Sequence, residues 1–195
     1  MSNEGKIIEF LENNHGYITT AEMVELGISK PLIQKYVDSG LIERVSHGIY
    51  MSTELFKDEY YILQKKYPFV VYSYNTALEI LNLSNRVPMV FDVTIPRGKT
   101  MRGDYNIHYI TEKYYNIGII SVDSPFNNPI NIYNAERCIC DMLRTEGEFD
   151  LELQNRVLNY YFNSESKDID KLLEYANIFD IFDKVNTIVG VMMKW

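Results

Sequence analysis

Residues 27–51, GISKPLIQKYVDSGLIERVSHGIYM, decide how the first third of the chain reads. Ser29 is placed to cap a helix, Pro31 falls in its first turn, and Gly40 follows its last. At roughly 100° per residue, Leu32, Ile33, Tyr36 and Val37 share one side of that helix. Lys30, Pro31, Gln34, Lys35 and Asp38 occupy the other. The segments LIERV, SHG and IYM then read as strand, tight turn and strand. Upstream, YITTAEMVELG predicts a short helix with Thr19 or Thr20 as N-cap and Gly27 as its stop. Before it, NEGKIIEFLENNHG has Ile7, Ile8, Phe10 and Leu11 at helical spacing and ends at Gly16. A short helix, a turn containing glycine and a second helix make a helix-turn-helix, and the strand pair supplies a wing.

A recognition helix reads base edges with the outer residues near its N-terminus. Gln34 suits adenine and a lysine suits guanine. Lys30 and Lys35 also suit phosphates, which fix register without carrying sequence information. Arg44, Ser46 and His47 on the wing turn can reach the backbone or the minor groove. Thr20, at the start of the second helix, is placed to donate to a phosphate. The alternative is a winged helix used for protein contacts, with lysines that merely solubilise its outer face. Asp38 is the one acid on that face, which favours DNA.

The charge balance limits this reading. The 195 residues carry a formal net charge of −8, and residues 1–50 hold four basic against seven acidic side chains. Such a balance disfavours broad, non-specific nucleic-acid binding. Few phosphate contacts imply weak binding per chain and a shallow salt dependence. Useful affinity then needs paired sites or help from the second domain.

Beyond the wing the pattern changes. STELFKDEYYILQKKYP reads as one connecting helix closed by Pro68. FVVYSY, MVFDVTIP, YNIHYIT and IGIISVD alternate like strands, and NTALEILNLS reads as a short helix capped by Asn75. NAERCICDMLRTEG, DLELQNRVLNYYFNS, DIDKLLEYANIFD and the stretch from Val185 to Trp195 read as helices. The expected fold class is α+β. Residues 1–52 form a winged helix-turn-helix, residues 53–66 a connecting helix, and residues 67–195 a mixed α/β domain ending in helices.

Two patches in the second domain stand out. TIPRGKTMRGD gathers Arg97, Lys99 and Arg102 in a turn between strands. It reads equally as a phosphate-binding loop or as a solvated hairpin tip, and its G-K-T triplet lacks the upstream glycine of a P-loop. In INIYNAERCICDMLR, Arg137, Asp141 and Arg144 share a helical face and can form a ladder of ion pairs. With Glu136 they make either a structural network or an interaction surface, and ladders of this kind are more often structural.

Other classes are disfavoured. Cys138 and Cys140 point to nearly opposite sides of a helix, and no third cysteine completes a metal site. They read as buried thiols in a reducing compartment. The acidic, amphipathic start is no signal peptide, and no apolar run approaches the ~20 residues of a membrane span. A cytoplasmic protein without metal or cofactor is expected. His15, His47 and His108 are scattered. Asp92 follows a strand-like run with no nearby acid-x-lysine pair, and reads as a strand-edge or turn-facing acid. Catalysis is not expected. A third class is a pure interaction module whose acidic C-terminal helices mimic a polyanion.

The order RVSHGIYM, YSYNTALEILNLSNRVP, VTIPRG and IYNAERCICDMLR resembles the AbiEi family of abortive-infection antitoxins, through about Arg144. The spacing IY-x-x-ER-x-x-CD-x-L is its more specific part, and Cys138 stands where relatives often carry Thr. The resemblance implies an antitoxin of a two-gene system that limits phage spread, with a nucleotidyltransferase-like toxin as functional partner. It implies that the winged helix binds inverted repeats of double-stranded DNA in its own promoter, cooperatively, as a monomer in solution. It implies that the C-terminal domain neutralises the toxin, and that the two proteins need not form a stable complex. A stand-alone regulator without a toxin is the alternative.

Overall fold

The structure, a computed structural model, describes residues 2–145, 147 and 149–193. Contacts divide the chain into two units. The first runs to Pro68 and takes in Asp123–Ile130, and the second comprises Phe69–Val122 and the chain from Asn131 onward.

In the first unit, α1 (Asn3–Asn13), β1 (Tyr17–Thr19), α2 (Thr20–Glu25), α3 (Lys30–Asp38), β2 (Ile42–Ser46) and β3 (Ile49–Ser52) follow in order. The sheet order is β1-β3-β2, with both pairings antiparallel. Ile7, Leu11, Ile18, Met23, Ile28, Ile33, Tyr36 and Ile42 form its core. This is a winged helix-turn-helix, with β2 and β3 as the wing. Strand β1 is not visible in the sequence, because three residues are too few to show alternation. Only its pairing of Tyr17 with Met51 and Thr19 with Ile49 defines it. Thr19 is the cap of α2: its Oγ1 accepts from Glu22 N at 3.2 Å, and Glu22 Oε2 accepts from Thr19 N at 2.6 Å. Thr20 is therefore the first helical residue.

The segment expected to be one long connecting helix is helical only in α4 (Glu59–Lys66). Asp58 sets its start. Its carboxylate caps Tyr61 N at 3.1 Å and accepts from Ser124 Oγ and from Asn128 Nδ2, the latter at 2.7 Å. Its own N–H donates to the Tyr17 hydroxyl at 3.0 Å. A carboxylate with no solvent access needs such donors, and a helix begun earlier would turn Asp58 away from them. Ile62 then packs on Tyr17, Ile49 and Met51. Residues 59–66 thus lie within the first unit, where the sequence suggests a connection.

The second unit is built on a mixed sheet. Its elements are β4 (Val71–Tyr72), α5 (Tyr74–Ile80), β5 (Asp92–Pro96), β6 (Asn106–Ile110), α6 (Glu112–Tyr115), β7 (Ile119–Asp123) and β8 (Pro129–Tyr133). Four helices follow: α7 (Ala135–Arg144), α8 (Leu151–Asn163), α9 (Ile169–Ile178) and α10 (Phe182–Met192). The sheet order is β6-β5-β4-β8-β7. β4 is antiparallel to β5 and parallel to β8, and β5 is parallel to β6. Val71, Leu78, Ile139, Met142, Val157, Leu172 and Val185 contribute to one core joining the sheet to the helices.

Several local expectations change. Ser73, not Asn75, occupies the N-cap of α5, and Asn75 Nδ2 instead donates to Asp92 Oδ2 at 3.2 Å. The residues INIY add a strand, β8, to the expected set, whereas α7 starts at Asn134 as expected, with Asn134 accepting from Arg137 N at 3.0 Å. Helix α7 ends at Arg144, and Glu146 of the expected TEG extension lies outside the described residues. So do Lys194 and Trp195 of the final amphipathic stretch. The parallel register pairs Asp92 with Asn106 and Pro96 with Ile110. The basic connection between these strands is therefore a crossover that carries the chain back, not a hairpin tip.

The Arg137 guanidinium has no solvent access. Its Nε donates to Asp141 Oδ2 at 2.9 Å, and its Nη1 donates to the carbonyls of Tyr114 and Ile117 at 2.9 and 2.8 Å. Asp141 Oδ1 accepts from Arg144 Nε at 2.8 Å. Gly118, at φ +82°, leaves the room: a Cβ there would stand 2.7 Å from Arg137 Cβ. Replacing Arg137 with Ala is expected to cost about 3–5 kcal/mol of stability, because it leaves the buried Asp141 with only the exposed Arg144 as partner and two buried carbonyls without a donor. Urea unfolding measures this. A loss below about 1 kcal/mol, the worth of an exposed ion pair, would contradict the buried-charge account.

Candidate nucleic-acid interface

Helix α3 separates its residues as its periodicity requires. Ile33 and Tyr36 are buried and Leu32 and Val37 half-buried, while Lys30, Pro31, Gln34, Lys35 and Asp38 are exposed. Ser29 holds the N-cap position without a side-chain capping bond, with proline in the first turn. Gly27, at φ +83°, ends α2 so that α3 can set off in a new direction. Lys30 and Lys35 make no ion pair among the described residues. Gln34 Nε2 donates to Asp38 Oδ1 at 2.8 Å. Its amide must exchange that exposed bond for any base edge it reads.

The wing turn holds Arg44 and His47 together. Arg44 Nη2 donates to His47 Nδ1 at 3.1 Å, and Arg44 Nε reaches the Ser46 carbonyl at 3.5 Å. A register shift between Arg44 and Ser46 bends the strand at this point. Gly48, at φ +72°, closes the turn, and its carbonyl accepts from Thr20 N at 2.9 Å. That bond ties the start of α2 to the wing. Thr20 is half-buried, and its backbone N–H is already used.

Behind this face, Lys65 of α4 pairs with Glu22 at 3.2 Å. Burial opposes ionisation of Glu22. The Thr19 N–H and hydroxyl and the Lys65 ammonium outweigh it, and hold the carboxyl below its usual range.

In the second unit, Arg97, Lys99 and Arg102 are exposed along the β5–β6 crossover. Lys99 Nζ lies 5.6 Å from the centre of the Phe69 ring. Of the α7 residues, Glu136, Arg137 and Asp141 are buried, while Arg144 is exposed. Arg137, Asp141 and Arg144 form one ion-pair chain. Glu136 stands apart from it and accepts from the Tyr161 hydroxyl on α8 at 3.1 Å. Burial pushes the Cys138 thiol well above its ordinary range and the Cys140 thiol up to about 12.

One cluster escaped sequence reasoning. Asp92 is buried rather than at an edge or turn: His108 Nε2 lies 3.0 Å from its Oδ1, and Asn75 donates to its Oδ2. The Tyr74 ring stacks on the His108 imidazole, with centres 3.6 Å apart, and Tyr74 holds a left-handed φ of +47°. Sixteen residues separate Asp92 from His108. The parallel β5–β6 register brings them together, and no local spacing signals it. Among the described residues, no group of three or more His, Cys, Asp or Glu could hold a metal ion.

Residues 6–53 match the family model described as a transcriptional regulator, AbiEi antitoxin. This part of the chain is similar to the regulator domain of AbiEi antitoxins. The match covers the winged helix-turn-helix and stops one residue past β3. It supports a regulator role for the protein. The whole chain is also similar in fold to the crystal structure of the RV2827C protein from Mycobacterium tuberculosis. The TM-score is 0.52 at 9% identity, covering 96% of this chain and 80% of that one. No curated protein matches the chain in sequence. No helix among the described residues is long and apolar enough to cross a membrane.

The first unit should show an acid-sensitive stability. Glu22 titrates below its ordinary value of 4.5 when folded. Its contribution is therefore present above that value and lost as pH falls through the lowered folded value. Glu22→Gln is expected to lower the urea midpoint at neutral pH, with the difference closing well below pH 4.5. A difference that persists in acid would show that the carboxylate is not its source.

Proposed function

We propose that this protein is the antitoxin of a bacterial toxin–antitoxin system that limits phage spread, and that it represses its own operon. The reading rests first on the outer face of α3. There Lys30, Gln34 and Lys35 stand exposed beside a wing carrying Arg44 and His47, in a domain similar to the AbiEi regulator domain. Gln34 reads base edges, while Lys30, Lys35, Arg44, His47 and Thr20 position the domain on the sugar–phosphate backbone. Two chains, monomeric in solution, occupy inverted repeats in the promoter cooperatively. The chain acts in the cytoplasm, without a cofactor.

The second unit takes the other role. It neutralises a nucleotidyltransferase-like toxin without requiring a stable complex, and it supports repression through the exposed Arg97, Lys99 and Arg102. The buried Glu136, Arg137 and Asp141, with Arg144 pairing to Asp141 from the surface, maintain its shape rather than touch the partner. No enzymatic step is needed for either role.

Two full-length variants separate the roles. Lys30→Ala with Lys35→Ala is expected to abolish the gel shift of the upstream DNA while still rescuing growth of cells that express the toxin. An unchanged gel-shift midpoint would overturn the recognition-helix assignment. Replacing Arg97, Lys99 and Arg102 with Ala is expected to weaken DNA binding by about tenfold or more and flatten its salt dependence. If no toxin reading frame lies beside this one, the stand-alone regulator replaces the antitoxin reading.

A further inference from the structure

The first unit contains a cavity of about 780 Å³ that the DNA-binding face does not use. All of its lining residues belong to that unit. Its walls come from α1, from the residues that end α3, from the segment after β3, and from the 123–130 turn. The size lies within the roughly 300–1,000 Å³ typical of small-molecule sites.

The lining has a definite chemistry. Ile8, Leu55, Phe56 and Phe126 are all large apolar residues left exposed, Phe56 by 84%. Exposed apolar groups gathered at one concavity mark a binding surface more than scattered ones do. Glu12 and Glu54 add two carboxylates against one histidine, His15, and no lysine or arginine lines the cavity. The wall is also specifically built. Gly16, at φ +78°, lets Leu55 lie against the main chain: a Cβ there would fall 2.0 Å from Leu55 Cδ1.

We propose that this cavity binds a small organic cation with a flat, apolar body. Phe56 and Phe126 add aromatic rings, whose faces attract cations, and Glu12 and Glu54 add the opposite charge. An anion of similar shape meets the same apolar walls but the wrong field. The inference is independent of the DNA-binding reading, because it rests on different residues.

The test is a fluorescence anisotropy titration of rhodamine 6G with the full chain. Saturable one-to-one binding is expected, with the anionic dye anilinonaphthalene sulfonate binding more weakly. Phe56→Ser, and separately Glu12→Gln with Glu54→Gln, are expected to weaken rhodamine binding by roughly fivefold to tenfold. All three positions are exposed, so the substitutions leave the fold intact. Absence of saturable binding, equal affinity for the anionic dye, or unchanged affinity in both variants would overturn the proposal. Sedimentation giving a dimer that Phe56→Ser dissolves would also overturn it, by making a second copy of the chain the occupant.

Discussion

The guanidinium of Arg137 lies between two aromatic rings, its Cζ 4.1 Å from the centre of Tyr133 and 4.4 Å from that of Phe179. Removing such a cation from water costs several kcal/mol, so it persists only where the surroundings compensate. Here they do so from several directions at once. Asp141 supplies the counter-charge, the carbonyls of Tyr114 and Ile117 accept two further bonds, and two rings lie against the guanidinium, while the buried Nη2 makes no hydrogen bond among the described residues. Those groups come from β8, α7, the segment around α6, and the residue that follows α9. Holding one buried charge therefore ties four parts of the second unit together. It also gives the spacing IY-x-x-ER-x-x-CD-x-L a physical meaning. Tyr133 lies on the guanidinium, Arg137 carries it, and Asp141 neutralises it. Glu136 anchors Tyr161 of α8, while Cys140 and Leu143 fill the core.

The first unit is organised the other way round. Its buried charge, Asp58, draws in donors from the 123–130 turn and from Tyr17, and so sets where α4 begins. The polar face of α3 carries no such obligations. Its lysines are exposed, and its one side-chain bond, Gln34 to Asp38, is exposed as well. Bonds of that kind are worth little in water and are easily exchanged for a ligand. The unit thus combines a fixed interior with an outer face whose few cations are available, in a chain that is acidic overall. Few cations make a weak binder of DNA phosphates, and base contacts and cooperative pairing must supply the rest.

The sequence made the winged helix legible because its signals are local. Helical spacing in 30–38, the stop glycine at 27 and the turn at 46–48 each act within a few residues. The 137–141–144 ladder was legible for the same reason, since i,i+3 and i,i+4 neighbours meet on any helix. Non-local pairing hid the rest. Strand β1 exists only through β3, and the early end of the expected connecting helix only through Ser124 and Asn128. The parallel β5–β6 register turned a supposed hairpin tip into a crossover and joined Asp92 to His108. The cavity beside α1 was equally invisible, because its walls are assembled from four separate stretches of chain.

The central claim is that a small set of cations on α3 and its wing holds this protein on its own upstream DNA. The salt dependence of affinity for that DNA tests it most directly. With Lys30, Lys35 and Arg44 and the crossover cations Arg97, Lys99 and Arg102 as the phosphate contacts of each bound chain, the plot of log affinity against log salt should have a slope of about −5 per chain. A slope indistinguishable from zero would contradict the account.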